Sequence, residues 1–141
     1  MVEFFKYEKG YWYPHMKPRD IAIWERFIAK YPDAYELCQY DYHIGEKPRF
    51  SEAAEDAAWN KMGALYQLKI DVLGYKGEHI DMIEVKPSAN AASIGQLLGY
   101  RAIYLRDEKP SKPVFPVIVT DELKLNMDFL CKEQGVTLFV V

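Results

Sequence analysis

The spacing of hydrophobic and polar positions along this chain predicts a mixed series of helices and strands. Apolar side chains recur at helical spacing over residues 18–31, where a proline occupies the first helical position. Residues 35–44 have the composition of a strand and end at a glycine- and proline-containing turn. An alanine-rich segment at residues 52–62 is typical of a second helix.

The middle of the chain, residues 65–86, has the pattern of a β-hairpin. Gly77 and Glu78 fit a two-residue turn with glycine in the first position, as type II′ geometry requires. With that turn, Asp71 lies opposite Glu84. A turn placed one residue earlier changes the partners but not the faces, because side chains alternate with a period of two.

Three chemically reactive side chains share one face of this hairpin in either register. They are Asp71, Glu84 and Lys86. Opposed carboxylates repel each other across a strand pair, and a divalent cation is an efficient way to compensate. Mg²⁺ prefers oxygen ligands such as these two acids, and the backbone carbonyl of Val85 is a candidate third ligand. The lysine is placed to position an attacking water or to stabilise charge growing on a phosphate. A purely structural alternative is that the acids form surface ion pairs with Lys69 and Lys86.

The second half of the chain predicts a helix followed by a strand–helix–strand unit. The first helix covers residues 90–105, with a stripe expected to face the core. That stripe consists of Ile94, Leu97, Leu98, Ala102 and Leu105. Valine-rich runs at residues 114–119 and 136–141 are typical of buried strands, with a helix at residues 121–134 between them. A unit of this length predicts a parallel strand pair, so we expect an α/β fold with a mixed central sheet flanked by helices.

Composition favours a soluble intracellular protein. The 141 residues are half hydrophobic and suffice for a single domain spanning residues 1–141. No apolar run approaches the ~20 residues that cross a bilayer, and the N-terminus lacks signal-peptide features. Cys38 and Cys131 have no metal-ligand spacing, which favours a reduced, cytoplasmic protein. The net charge of −3 counts against nucleic-acid binding, although a nuclease site needs its own acids and a local basic surface is compatible with a negative total.

The first 17 residues form an aromatic N-terminal arm. Its aromatic side chains are Phe4, Phe5, Tyr7, Tyr11, Trp12 and Tyr13. One hypothesis is that the arm covers a core edge or meets a second subunit, since aromatic residues are common in interiors and interfaces. The other is that the aromatics, with basic neighbours, stack on single-stranded bases.

The hairpin residues together resemble a known family. Asp71 followed by Glu84-Val85-Lys86 resembles the signature of the PD-(D/E)xK nuclease superfamily, the restriction-endonuclease-like fold. Gln96-Leu97-Leu98-Gly99-Tyr100 resembles the QxxxY element of its RecB-like branch, and the similarity covers about residues 18–120. Two features depart from the family pattern: Ile70 replaces the proline before Asp71, and the four cysteines that hold an iron–sulfur cluster in some relatives are absent.

The resemblance implies roles for the individual residues. Asp71 and Glu84 would bind the metal and Lys86 would be the catalytic lysine, while Gln96 and Tyr100 would support the lysine or contact the DNA backbone. An acidic residue from the preceding helix would complete the site. Glu25 is the first candidate for it and Glu36 the second.

These observations predict a Mg²⁺- or Mn²⁺-dependent DNA endonuclease. A domain of this size is expected to act as a homodimer or within a larger assembly, with the aromatic arm as the contact. A phage or mobile-element origin fits such an activity. The rival hypothesis is a non-catalytic module that keeps the nuclease fold and binds nucleic acid or a protein partner.

Overall fold

A computed structural model describes residues 2–46 and 67–141, and the helix predicted at residues 52–62 lies outside them. The described residues form one six-stranded sheet and three helices. The strands are β1 (Phe5–Lys6), β2 (Leu37–Ile44), β3 (Leu68–Lys76), β4 (His79–Val85), β5 (Val114–Thr120) and β6 (Thr137–Val140). The helices are α1 (Pro18–Lys30), α2 (Ala91–Glu108) and α3 (Met127–Glu133).

The strands lie in the sheet in the order in which they occur along the chain. Neighbours from β1 to β4 pair antiparallel, and β4, β5 and β6 pair parallel. The parallel strands are joined by α2 and α3, as parallel connections require. The chain is therefore an α/β domain with a mixed sheet, as the pattern of strands and helices predicts. None of the helices in the described part of the chain is long and apolar enough to cross a membrane.

The central hairpin has the predicted turn. Lys76 pairs with His79, so Gly77 and Glu78 form the two-residue connection. Gly77 has a φ of 54°, and Glu78 keeps a negative φ, as expected for a type II′ turn. The same register pairs residue 72 with residue 83, which confirms the first of the two predicted pairings.

Two hydrophobic cores lie on opposite faces of the sheet. On one face α1 inserts Trp24 and Phe27, whose rings stack 5.2 Å apart. On the other face α2 and α3 cover the sheet and bury Leu97 and Cys131. Strands β4 and β5 send alternate side chains into the two cores, because successive residues of a strand point to opposite faces, whereas in β3 Ile70 and Val72 lie in opposite cores on either side of Asp71.

The prediction for α2 was correct in its position but not in every core residue. The helix begins after Asn90, whose side chain accepts a hydrogen bond from the Ser93 amide at 3.3 Å. Ala102, which was predicted to face the core, is exposed, and Tyr104 is buried instead. The Tyr104 ring packs edge-on against Tyr42 of β2 at 5.7 Å. In the last turns of α2 the tyrosine, and not the smaller alanine, therefore faces the sheet.

The helix predicted over residues 121–134 is much shorter in the structure. It begins at Met127, after Asn126 in a left-handed conformation with a φ of 69°. The preceding segment makes other contacts, since Asp121 accepts a hydrogen bond from the Ser88 amide at 2.8 Å. An aspartate that bonds a neighbouring loop in this way competes with helix formation, and Gly135 ends the helix with a φ of 68°.

Candidate active site

Asp71 and Glu84 lie next to each other where the hairpin strands separate. The ladder pairing of β3 and β4 extends to Val72 and Ile83, and the next residues along each strand are the two acids. At that point Asp71 Oδ2 accepts a hydrogen bond from the Val85 amide at 2.9 Å. A side-chain oxygen thus takes the place of a backbone carbonyl, which fixes the Asp71 carboxylate relative to β4.

Glu84 is a buried carboxylate with only one of its oxygens satisfied. Its side chain lies on the α2 face of the sheet and is 9% exposed. Oε1 accepts a hydrogen bond from Gln96 Nε2 of α2 at 3.1 Å. Oε2 is buried and has no hydrogen-bond partner among residues 2–46 and 67–141. An unsatisfied buried carboxylate oxygen is costly and calls for a positively charged or donating group.

The electrostatic environment raises the pKa of both acids. Burial is the main cause for Asp71 and brings its pKa to about 7, against the lowering effect of the Val85 amide. Burial also raises the pKa of Glu84 to about 7, and the charge of Asp71 adds to the rise. Lys86 partly opposes both shifts through its positive charge. Two adjacent carboxylates that resist ionisation are typical of a functional site.

The two acids form part of the wall of a cleft of about 610 Å³. Residues 17–20, at the start of α1, form another part of this wall. Lys86 and Gln96 also line the cleft, and Lys86 is exposed. The cleft therefore combines buried acids with accessible basic side chains at one end of the sheet.

Tyr100 is the last residue of the predicted QxxxY element and lies near the two acids. It lines a small cavity of about 10 Å³ together with Asp71, Glu84 and Lys69. Burial raises the Tyr100 pKa, and the negative charges of Glu84 and Asp71 raise it further. Gln96 contacts Glu84 directly, so the structure places this helix against a metal-ligand candidate as well as beside Lys86.

The described residues do not form the surface ion pairs of the structural alternative. Neither Asp71 nor Glu84 forms an ion pair with Lys69 or Lys86, within the part of the chain that the structure describes. Glu84 is buried instead of lying on a solvated face.

The structure brings neither predicted helix acid to the cleft. Glu25 accepts a hydrogen bond from the Tyr13 hydroxyl at 3.1 Å and is not among the cleft residues. Glu36 is exposed and accepts a hydrogen bond from the Gly77 amide at 3.4 Å. Gly77 is six strand positions from Asp71, or roughly 20 Å at 3.4 Å per residue. The structure therefore corrects the prediction that Glu25 or Glu36 supplies the third acid of the site.

Asp20 is the α1 acid that lies at the cleft. It lines the cleft beside Asp71, and its charge contributes to the raised pKa of Asp71. The sequence signal that could have found it is its position in the first helical turn. There an acid complements the helix dipole, and its carboxylate accepts from the Lys17 amide at 3.4 Å.

A second cluster, around Asp41, was not foreseen because its histidines are far apart in sequence. His15 Nε2 and His43 Nε2 both approach Asp41 Oδ2, at 3.3 and 3.2 Å. Asp41 lies within β2 with a φ of 51°, and its charge also raises the pKa of Asp71. Within the described ranges, no three or more His, Cys, Asp or Glu side chains are grouped as metal ligands. A metal at the cleft would therefore depend on two carboxylates, a backbone carbonyl and water.

Comparisons with protein family models, with curated proteins and with solved structures found no match to this chain. Its function is accordingly argued from the arrangement of these side chains.

Proposed function

We propose that this protein is a metal-dependent DNA endonuclease with a PD-(D/E)xK, restriction-endonuclease-like core. The observation that carries the proposal is the buried Oε2 of Glu84, which has no hydrogen-bond partner among the described residues and lies next to the Asp71 carboxylate. Two adjacent buried acids are unfavourable when both are ionised, and a cation between them removes that cost. The order of strands and helices around them also fits such a core.

The donor set fits Mg²⁺ or Mn²⁺. Asp71 and Glu84 supply carboxylate oxygens, and Val85, whose backbone carbonyl is the candidate third ligand, lines the same cleft. Mg²⁺ sites commonly use one or two carboxylates and complete their shell with water and substrate phosphate, so a three-acid cluster is not needed. When bound, the ion would polarise the phosphodiester and lower the pKa of a coordinated water.

The protein side chains around the acids have separable tasks. The Val85 amide holds Asp71 in place, and Gln96 holds Glu84 through a hydrogen bond to Oε1. This leaves Glu84 Oε2 for the ion. Lys86 is exposed in the same cleft, where its ammonium can orient a water molecule or stabilise negative charge on the phosphate.

DNA is the substrate that suits the cleft walls. Lys17, Arg19 and Lys86 line the cleft together with the acids Asp20, Asp71 and Glu84, so the lining would carry a net positive charge once a divalent cation is bound to the acids. Arg19 also lies 3.6 Å from Asp121, which holds its guanidinium near the rim. We propose a homodimer or larger assembly as the active form, because one domain of this size contacts only a short length of duplex.

The test is cleavage of supercoiled, linear and single-stranded DNA with Mg²⁺ or Mn²⁺ and with EDTA. Lys86→Ala should lower cleavage by about 100-fold or more while metal binding, measured by calorimetry, is retained. Lys132→Ala is the matched control, since Lys132 is exposed on α3, away from the cleft residues, and pairs with Asp128 at 3.1 Å. A folded protein that neither binds the metal nor cuts any of these substrates would refute the nuclease and favour the non-catalytic binding module.

A further inference from the structure

Two adjacent aromatic side chains protrude from the loop before α1. Tyr11 is 110% exposed and Trp12 is 68% exposed, whereas Tyr13, directly after them, is buried. Full exposure of neighbouring large aromatic rings is unfavourable in water and marks a surface that binds a partner. The remaining aromatics of the arm lie against the fold, as in Phe5 of β1, which packs on Tyr40 at 5.6 Å.

The protein holds this aromatic loop firmly at its base. The Tyr13 hydroxyl accepts a hydrogen bond from the Gly10 amide at 2.9 Å, which closes the loop around Tyr11 and Trp12. The same hydroxyl donates to Glu25 at 3.1 Å, and the Tyr13 ring packs edge-on against Tyr40 at 5.7 Å. Glu25, expected at the metal, instead anchors the loop.

The C-terminal side of the loop is held as well. His15 has a left-handed φ of 56°, and its Nε2 lies 3.3 Å from Asp41 Oδ2. The Met16 amide donates to the Tyr13 carbonyl at 3.4 Å. Because both ends of the loop are tied to the domain, its backbone loses little freedom when the protruding rings bind a ligand.

The charge around the rings identifies the kind of ligand. Residues 9–19 contain three basic side chains, Lys9, Lys17 and Arg19, and no acidic one, although the chain as a whole carries −3. Lys17 and Arg19 also line the candidate active-site cleft. Trp12 is five residues from Lys17, so it lies within roughly 18 Å of the cleft wall at 3.6 Å per extended residue. Aromatic faces beside a basic path are typical of single-stranded nucleic acid sites.

We propose that Tyr11 and Trp12 form a stacking platform for unpaired bases of a DNA strand that enters the cleft. The proposal rests on the proposed function in taking DNA as the ligand, and it deepens that function by naming DNA with a single-stranded segment as the substrate. The cleft cations hold the phosphates and the two rings hold the bases. A duplex without an open end or bubble offers no free base face to the rings.

Binding can be measured without cleavage, in EDTA, by anisotropy of a labelled oligothymidine of about 15 nucleotides and of a blunt duplex. Trp12→Ala should weaken oligothymidine binding by about 10- to 100-fold and duplex binding by less than about twofold. Trp12→Phe should restore most of the affinity because phenylalanine keeps a stacking face. Phe129→Ala is the matched control, since Phe129 is a 62% exposed aromatic on α3 outside the loop.

The outcomes separate this proposal from the nuclease itself. Tight oligothymidine binding that depends on Trp12, with no cleavage in Mg²⁺ or Mn²⁺, would support the platform and refute the nuclease. Cleavage with oligothymidine affinity unchanged by Trp12→Ala would overturn the platform and leave the nuclease. Loss of a dimer in Trp12→Ala by light scattering, with unchanged DNA affinity, would also overturn the platform and assign the rings to a protein interface.

Discussion

Replacing Glu84 by glutamine should stabilise the metal-free protein at high pH. In the folded state the pKa of Glu84 is about 7, against an ordinary value of 4.5, and burial is the largest cause. At 1.36 kcal/mol per pKa unit, the ionised side chain costs the fold about 3 kcal/mol above pH 7. The uncharged Glu84→Gln side chain removes that cost.

Part of the gain is lost to hydrogen bonding. Glutamine keeps an oxygen for the Gln96 donor, but its amide nitrogen takes the place of Oε2, which has no partner among the described residues. A buried donor without an acceptor costs about 1–3 kcal/mol. The expected net stabilisation by Glu84→Gln at pH 8 is therefore about 1 kcal/mol.

The stabilisation by Glu84→Gln depends on pH. The folded pKa of Glu84 lies above its unfolded value, so its contribution to stability is favourable below pH 4.5 and is lost as pH rises through 7. The advantage of Glu84→Gln should accordingly be gone at pH 5. Urea denaturation in EDTA at the two pH values measures the difference, and Glu133→Gln, an exposed acid on α3, serves as the control. A Glu84→Gln protein that is no more stable at pH 8 than at pH 5, relative to wild type, would refute the argument from burial.

Two further predictions concern the residues around the site and the sheet. Gln96→Ala removes the hydrogen-bond donor that favours the ionised form of Glu84. The pH at which Mg²⁺ binding is half-maximal should therefore rise by about 1 unit. A calorimetric pH profile of Mg²⁺ binding that does not move would contradict this. Gly74→Ala should cost about 1–3 kcal/mol in urea denaturation, because a Cβ there would lie 2.7 Å from the Tyr35 ring, which is held by its hydroxyl bond to Asp81 at 2.7 Å. Wild-type stability in Gly74→Ala would show that the ring can move aside.

The hairpin could be predicted from local sequence rules for turns and strand alternation. A glycine suited to a type II′ turn determines the register, and the register places Asp71 opposite Glu84. The nearby pairing of a carboxylate oxygen with the Val85 amide has no counterpart in sequence patterns, since it depends on where the two strands separate. The convergence of the acids was therefore predictable, but the way they are held was not.

The acid contributed by α1 could not be chosen from helical periodicity. Glu25 lies five residues after Asp20, which is about 7.5 Å along the helix axis. Periodicity gives the angle of a side chain around the axis, whereas the position of the helix along the sheet depends on packing of Trp24 and Phe27 in the core. That packing brings the first turn of α1, and not its middle, to the cleft.

The bond between Asp71 and the Val85 amide has a consequence for how this site would decay during evolution. Loss of the Asp71 carboxylate leaves the Val85 N–H without its acceptor where the strands part, and this cost offsets part of the stability gained by removing a buried acid whose pKa is raised to about 7. Lys86 is exposed, and its side chain makes no hydrogen bond or ion pair with the described residues, so its replacement removes no packing and takes away only the positive charge that partly opposes the raised pKa values of the two acids. A lineage released from selection for activity should therefore lose the lysine freely, while position 71 keeps a side chain that accepts a hydrogen bond from the Val85 amide. Inactive descendants would then carry an uncharged acceptor there, as in Asp71→Asn, as a structural relic of the site.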